Sequence, residues 1–342
     1  MRVLLLPLLL LLSLHIARGV EVSLPTSNDN LLRDRDEDFY QRTARSDDSA
    51  WQGGMYGLVR NAKTVKGKDI YTRFHEGIDI KPLYRDDRGV PLDSVRSIAS
   101  GIVVHVNDRA GRSNYGKYVV VEHIWDGSPY YSLYAHLSEI WVDSGQVVDR
   151  GDLLGRLGYT GTGINKARAH LHLEICMLYN SNFQVWYRQE HVARDTNHHG
   201  IFNGKNLAGL DPARFLRHMI DNPDDQVEEF LMREPTLYSV QFRRNESGRL
   251  DLVERYDWIL SREPDKGDRS WRISFTNGGV PVLVEPVEDE TDSAIVCFVA
   301  ETAMPITYVS KRVIRRTGGY CTLSPAGDQF VALLSEEGGV LE

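Results

Sequence analysis

The chain is 342 residues long, with 42% hydrophobic residues, 26% charged residues and a formal net charge of -8. At roughly 100–200 residues per domain, that length holds two or three domains, and the composition is that of an ordinary soluble globular protein. The acidic balance excludes a non-specific nucleic-acid binder, which needs clustered lysine and arginine.

Residues 1–19 read as a secretory signal. Arg2 gives the positive start, and the apolar run Val3 to Leu14 is broken only by Pro7 and Ser13. Ala17-Arg18-Gly19 then offers a cleavage site after Gly19. The run is shorter than the ~20 residues a spanning helix needs. Export to the periplasm, cell envelope or exterior is therefore expected, with no stable membrane insertion after cleavage. Residues 20–50 are polar and charged, as in Asp34-Arg35-Asp36-Glu37-Asp38, and predict a flexible or loosely docked lead-in. Ordered structure is expected from Trp51.

Phe74-His75-Glu76-Gly77-Ile78-Asp79-Ile80 predicts a turn at Gly77 leading into a strand. That turn folds His75 back towards Asp79, and imidazole plus carboxylate is a common part of a zinc shell. From Ser94 the pattern is all-β: Val95 to Val106 with a bend at Gly101, then Tyr118 to Ile124 and Tyr130 to Leu137, joined by a turn at Gly127-Ser128-Pro129. His105 and His123 lie in these strands without a partner motif and read as structural. His136 follows Tyr134 by two residues, so the two are expected on one face. Glycines from Gly145 to Gly163 suit short strands and tight turns.

Ala169-His170-Leu171-His172-Leu173-Glu174-Ile175 predicts a strand of period two. Its face of His170, His172 and Glu174 is opposed by an apolar face of Leu171, Leu173 and Ile175. Two imidazoles looking into one space suit a site in which one coordinates a metal and the other handles protons. Cys176 shares that face but lies roughly 13 Å along an extended strand from His172, and reads as a buried, inert thiol. Tyr179 to Asn206 predicts a long loop, with His198 and His199 a solvated pair. Asp211-Pro212 opens a short helix as N-cap and first helical residue.

The first globular domain is placed at 51–219, an acidic linker at 220–228 and a separate β-rich domain of unknown role at 229–342. Strands are expected there at Leu237 to Phe242, Leu250 to Ile259, Trp271 to Phe275, Val280 to Val284, Ile295 to Val299, Ile306 to Val309 and Tyr320 to Leu323. No histidine follows His218, and Cys297 and Cys321 are close enough in sequence to pair in an oxidising compartment.

Taken together, the three histidine segments resemble the lysostaphin-type (LytM-like) zinc metallopeptidases, which cut the peptide part of bacterial peptidoglycan. The likeness rests on His75-Glu76-Gly77-Ile78-Asp79-Ile80, Leu133-Tyr134-Ala135-His136-Leu137 and His170-Leu171-His172-Leu173-Glu174-Ile175, in that order. It covers about Gly67 to Ile175 and is supported by the glycine-rich stretch between. The resemblance implies a mainly β fold: a compact antiparallel, lipoyl-barrel-like metallopeptidase domain, followed by the separate C-terminal domain. It implies one Zn2+ per chain held by His75, Asp79 and His172, with His136 and His170 as the catalytic pair. Three protein ligands leave a fourth position for water, the arrangement of a catalytic zinc. The implied substrate is the peptide of peptidoglycan, and a cell-wall or divisome partner is expected for the C-terminal domain. Some relatives of this kind are non-catalytic activators of other wall hydrolases; the complete set of residues here favours the enzyme. Glu174 is expected to hydrogen-bond an imidazole from behind. Lys81 to Val95 is longer and more charged than is usual in such proteins, which points to a reshaped groove wall.

Overall fold

The structure is a computed structural model, described over residues 19–43, 49–65, 67–190 and 196–336. The expected signal at 1–19 lies outside these residues except for Gly19. The chain is mainly β, built from antiparallel sheets.

The lead-in is not loose. Val20, Val22, Leu31, Phe39 and Tyr40 are buried in the main core, and helix α1 (Asp36–Phe39) ends against the next element. Most of the charged residues between them are exposed, while Thr26 and Asn28 are buried, so composition concealed the residues that anchor the segment. Next come hairpin β1 (Gly57–Val65) and β2 (Lys68–His75), the turn at Gly77, and β3 (Ile78–Ile80). Tyr40 bridges Ile80, while Gln41 N donates to Asp79 O at 2.8 Å, so the lead-in braces β3 from one side.

Strands β4 (Ser94–Arg96), β5 (Gly101–Asn107), β6 (Lys117–Trp125), β7 (Ser128–Leu137), β8 (Glu139–Ile140), β9 (Val147–Val148) and β10 (Leu153–Arg156) follow, then β11 (Leu171–Leu178), helix α2 (Phe183–Glu190) and β12 (Leu207–Leu210). The principal sheet runs β12-β11-β7-β6-β5-β9, with β3 pairing the other end of the β11 edge. Alternation sorts its two faces. Tyr130, Tyr134, Leu171, Leu173 and Ile175 join the main core, and Tyr131, Leu133, Ala135, Cys176 and Leu178 form a second cluster. The β6–β7 turn is Asp126-Gly127 rather than the expected Gly127-Ser128-Pro129. Both residues have positive φ (51° and 85°), the conformation of the tight Asp-Gly hairpin, and Ser128 already pairs with Trp125.

Tyr179 to Asn206 is not all loop. Phe183, Trp186 and Tyr187 are buried at helical spacing and make α2. Asp211 caps α3 (Pro212–Asp221) as expected, accepting from Ala213 N and Arg214 N. The acidic segment at 220–228 is helical only at its ends: α3 runs to Asp221 and α4 (Val227–Met232) begins at the buried Val227.

The C-terminal part has its own sheet, ordered β15-β14-β13-β16, from β13 (Thr236–Arg243), β14 (Ser270–Thr276), β15 (Pro281–Val287) and β16 (Ile295–Val299). Two expected strands are helical. Leu252, Tyr256 and Ile259 are buried four and three apart across α5 (Asp251–Arg255) and a following 3-10 turn, and Ile306 and Val309 are buried on α6 (Ile306–Val309). Hairpin β17 (Ile314–Thr317) and β18 (Tyr320–Leu323) and helix α7 (Pro325–Ser335) end the described chain. This sheet is distinct, but its core is continuous with the first. Tyr256 Oη accepts from Leu178 N at 3.0 Å, Tyr179 Oη donates to Gly279 O at 2.6 Å, and Asn180 Nδ2 donates to Leu333 O at 3.0 Å. Cys297 is exposed and Cys321 partly so, and both are free thiols, so the pairing that their spacing allows is not made.

His123 is structural, as expected. It is buried on β6, with Nε2 2.7 Å from Ser132 Oγ and Nδ1 2.9 Å from Ser100 O, and its ring stacks on Trp125. Burial pushes its pKa down to about 4. The unfolded chain therefore takes up a proton near the ordinary value of about 6.5 that the folded chain refuses until near pH 4. Stability contributed by neutral His123 is present above about pH 6.5 and is lost as pH falls towards 4. Between about pH 7 and 4.5 this single group is expected to cost about 2–3 kcal/mol. Urea unfolding at both pH values, compared with His123→Gln, checks it: the variant should lose less stability on acidification.

Candidate metal centre

The site lies where β2, β3, β7 and β11 meet. Across the β3–β11 pair His172 stands directly opposite Asp79, and across the β11–β7 pair it stands opposite Ala135. His75 arrives from the end of β2, returned by the turn at Gly77. That turn needs glycine: a Cβ at position 77 would sit 2.3 Å from Leu173 O, a backbone atom that has no room to move. His75, Asp79 and His172 are all buried.

Their donor atoms converge. His75 Nε2 is 3.1 Å from Asp79 Oδ1, His172 Nδ1 is 3.0 Å from the same oxygen, and the two nitrogens are 3.2 Å apart. A tetrahedral ion at about 2.0–2.1 Å from each donor sets them about 3.3–3.4 Å apart, so one small divalent ion fits this triangle with little adjustment. Among the described residues these three form the group able to hold a metal. Two imidazoles and a carboxylate are also the donor types zinc accepts.

His136 and His170 border the triangle. Their rings are 4.8 Å apart, edge to face, and His170 Nε2 is 3.4 Å from Asp79 Oδ1. Strand alternation would send His136 into the main core beside Tyr134, as the sequence suggests. Instead its φ is +64°, in the left-handed region, which turns the ring to the opposite face, 5.7 Å from the ring of His172. Such a backbone costs a side-chain-bearing residue about 1–3 kcal/mol and persists where its surroundings hold it. Here His136 N donates to Tyr115 O at 2.9 Å and Nδ1 meets Thr160 O at 2.9 Å.

Each of the four imidazoles has one nitrogen tied to a fixed oxygen and the other aimed at the site. Nδ1 of His75, His136 and His170 meets the carbonyls of Met55 (2.7 Å), Thr160 (2.9 Å) and Arg168 (2.7 Å). A carbonyl only accepts, so this network places a proton on Nδ1 of each ring and turns Nε2 towards the site. His172 is reversed: Nε2 donates to Glu174 Oε1 at 2.8 Å and Nδ1 faces inwards. Glu174 also accepts from Tyr115 Oη at 2.7 Å and contacts Cys176 Sγ at 3.5 Å. Burial and the neighbouring Glu174 hold the Cys176 thiol well above its ordinary pKa, as an inert thiol requires.

The electrostatics follow from burial and these contacts. Burial lowers the proton affinity of His75 and His136, and the nearby imidazoles of His170 and His172 lower that of His136 further. Burial alone would raise Asp79, but His170, His75 and Arg60 outweigh it and keep the carboxyl ionised. For His172, burial acts against protonation, yet the bonds to Asp79 and Glu174 raise it to about 9. A position that attracts a proton this strongly lies in the negative field that also attracts a divalent cation.

Known proteins resemble this part of the chain. Residues 73–184 match the model of peptidase family M23. This part of the chain is therefore similar to peptidase family M23. The match runs from β2 to the start of α2, and so contains His75, Asp79, His136, His170 and His172. The peptidoglycan DD-endopeptidase ShyA of Vibrio cholerae is 29% identical over 163 residues, which are 46% of this chain and 33% of the relative. The matched part thus spans about a third of that relative's length. Among solved structures, a zinc-containing peptidase from Vibrio cholerae is 25% identical, covering 46% of this chain and 37% of that one at a TM-score of 0.29. The catalytic domain of lysostaphin from Staphylococcus simulans is 21% identical, covering 48% and 89% at a TM-score of 0.29.

The site has features that sequence reasoning missed. Tyr115, Met55 and Thr160 act through contacts made only on folding. Arg60 was also unnoticed: its Nη2 lies 2.5 Å from Asp79 Oδ2 and 3.0 Å from His75 Nε2. His199, expected to be solvated, is half-buried on Tyr118, with Nδ1 2.7 Å from the phenol oxygen. A groove of about 990 Å³ runs over the site, and Tyr238, Lys311 and Phe330 of the C-terminal part share in its wall.

Proposed function

We propose that this chain is an exported zinc endopeptidase that hydrolyses the stem-peptide cross-links of peptidoglycan. The observation that carries the proposal is the triangle of His75 Nε2, Asp79 Oδ1 and His172 Nδ1, with its edges of 3.0–3.2 Å. The family match and the relative named as a peptidoglycan endopeptidase support the substrate class. His75, Asp79 and His172 would hold the ion. A bound zinc would polarise the scissile carbonyl and bring a water towards ionisation near neutral pH.

The remaining work falls to the protein. His136 and His170 bond fixed carbonyls through Nδ1 and turn their Nε2 atoms to the site. An Nε2 that takes a proton from the attacking water passes it to the departing amine nitrogen, so the imidazole ends neutral. Glu174, braced by Tyr115, fixes the ring of His172 and keeps its Nδ1 free of protons once a cation is present.

The test is digestion of purified peptidoglycan with the mature protein, with and without a chelator, and identification of the fragments by mass spectrometry. Loss of cross-linked fragments, prevented by chelator and restored by zinc, is the expected result. A zinc-loaded protein that releases nothing would overturn the enzyme reading in favour of a non-catalytic regulator.

A further inference from the structure

The chain is acidic overall, at -8, yet Arg60, Arg73, Arg168 and Lys311 line the groove. The carboxylates there are already committed. Asp79 and Glu174 bond the site imidazoles, and Glu76 lies 3.8 Å from Lys311 Nζ. Arg73 is exposed and, like Arg168, has no carboxylate partner among the described residues.

Two of these cations have an unsatisfied donor. The Nε atoms of Arg60 and Arg168 are both buried without a hydrogen-bond partner. Buried donors are nearly always paired, so each such atom calls for an explanation. Nε and a neighbouring Nη make the edge of a guanidinium that binds a carboxylate through two parallel bonds. Arg168 uses Nη1 on Gly163 O at 3.3 Å, a weak contact. Arg60 is aimed by local strain: β1 carries a register break between Leu58 and Arg60, and Asn61 follows with φ +54°. Bulges of this kind redirect a side chain beside a functional site. Moreover, the His75 Nε2 lone pair serves either Arg60 or a metal ion. With an ion held, Arg60 keeps its bond to Asp79 and has donors left over.

We propose that the groove selects peptides bearing free carboxylates, and that Arg60 and Arg168 are the specificity-determining residues that bind them. This rests on the endopeptidase reading above and deepens it: the favoured substrate is an acidic cross-linked peptide, not an uncharged glycine bridge.

The test uses two soluble cross-linked peptides of one backbone, one with free carboxylates and one with those carboxylates amidated. Binding is measured by calorimetry and turnover by fragment release, on the zinc-loaded full mature chain, with metal content determined for every variant. The wild type is expected to bind the acidic peptide roughly 10- to 100-fold more tightly, as charge-assisted bonds imply, and to show the preference mainly in KM. Arg60→Gln and Arg168→Gln are expected to bring the acid-to-amide ratio towards one. Equal binding of both peptides by the wild type overturns the proposal. So does a ratio left unchanged in both variants, even if overall activity falls, because that is the mark of a merely structural role. Selective binding without any cleavage leaves the specificity standing and sinks the endopeptidase reading instead.

Discussion

His172→Ala is expected to strip the protein of its metal. Elemental analysis after dialysis should find about one zinc per chain in the wild type and close to none in the variant. The magnitude follows from the site's economy of ligands. Among the described residues three donors converge, so losing one leaves a two-ligand site that competes poorly with buffer. His172 is also the donor best supported from behind, since Glu174 lies 2.8 Å from its far nitrogen and Tyr115 holds Glu174 in turn. Removing the ring leaves the Glu174 carboxylate buried without that partner, so some loss of stability accompanies the loss of metal. Retention of stoichiometric zinc by a folded His172→Ala protein would remove the basis of the ligand assignment.

His170→Ala is expected to act differently: turnover falls about 10²- to 10⁴-fold, the usual contribution of a positioned general acid or base, while the metal stays. His170 Nε2 stands 3.4 Å from Asp79 Oδ1, beside the triangle rather than within it. Paired measurement of zinc content and peptide cleavage separates the two variants. If His170→Ala loses its metal as readily as His172→Ala, the division between ligands and proton carriers is wrong. If it keeps full activity, His136 alone suffices.

Much of this site was legible in the sequence because the converging residues come in short motifs whose spacing matches their local structure. His170, His172 and Glu174 follow strand alternation, and Gly77 marks the turn that returns His75. The position of His136 was not legible by the same logic, since one left-handed residue reverses a face that alternation assigns. Arg60 escaped for a related reason. It lies in an exposed-looking hairpin, and only a register break aims it inwards. In the C-terminal part, Ile306 to Val309 has the β-branched content of a strand but buries residues three apart, so tertiary packing overrode propensity. The lead-in at 20–50 misled because a few buried anchors outweigh many charges.

The continuity of the hydrophobic interior has a consequence for how such a protein is inherited. Leu178, Tyr179 and Asn180, a few residues beyond His172, are bonded to Tyr256, Gly279 and Leu333. The part that carries the candidate metal centre is therefore no interchangeable cassette. A gene rearrangement that cut between the halves would expose apolar surface on both fragments, so the two are constrained to evolve as a unit.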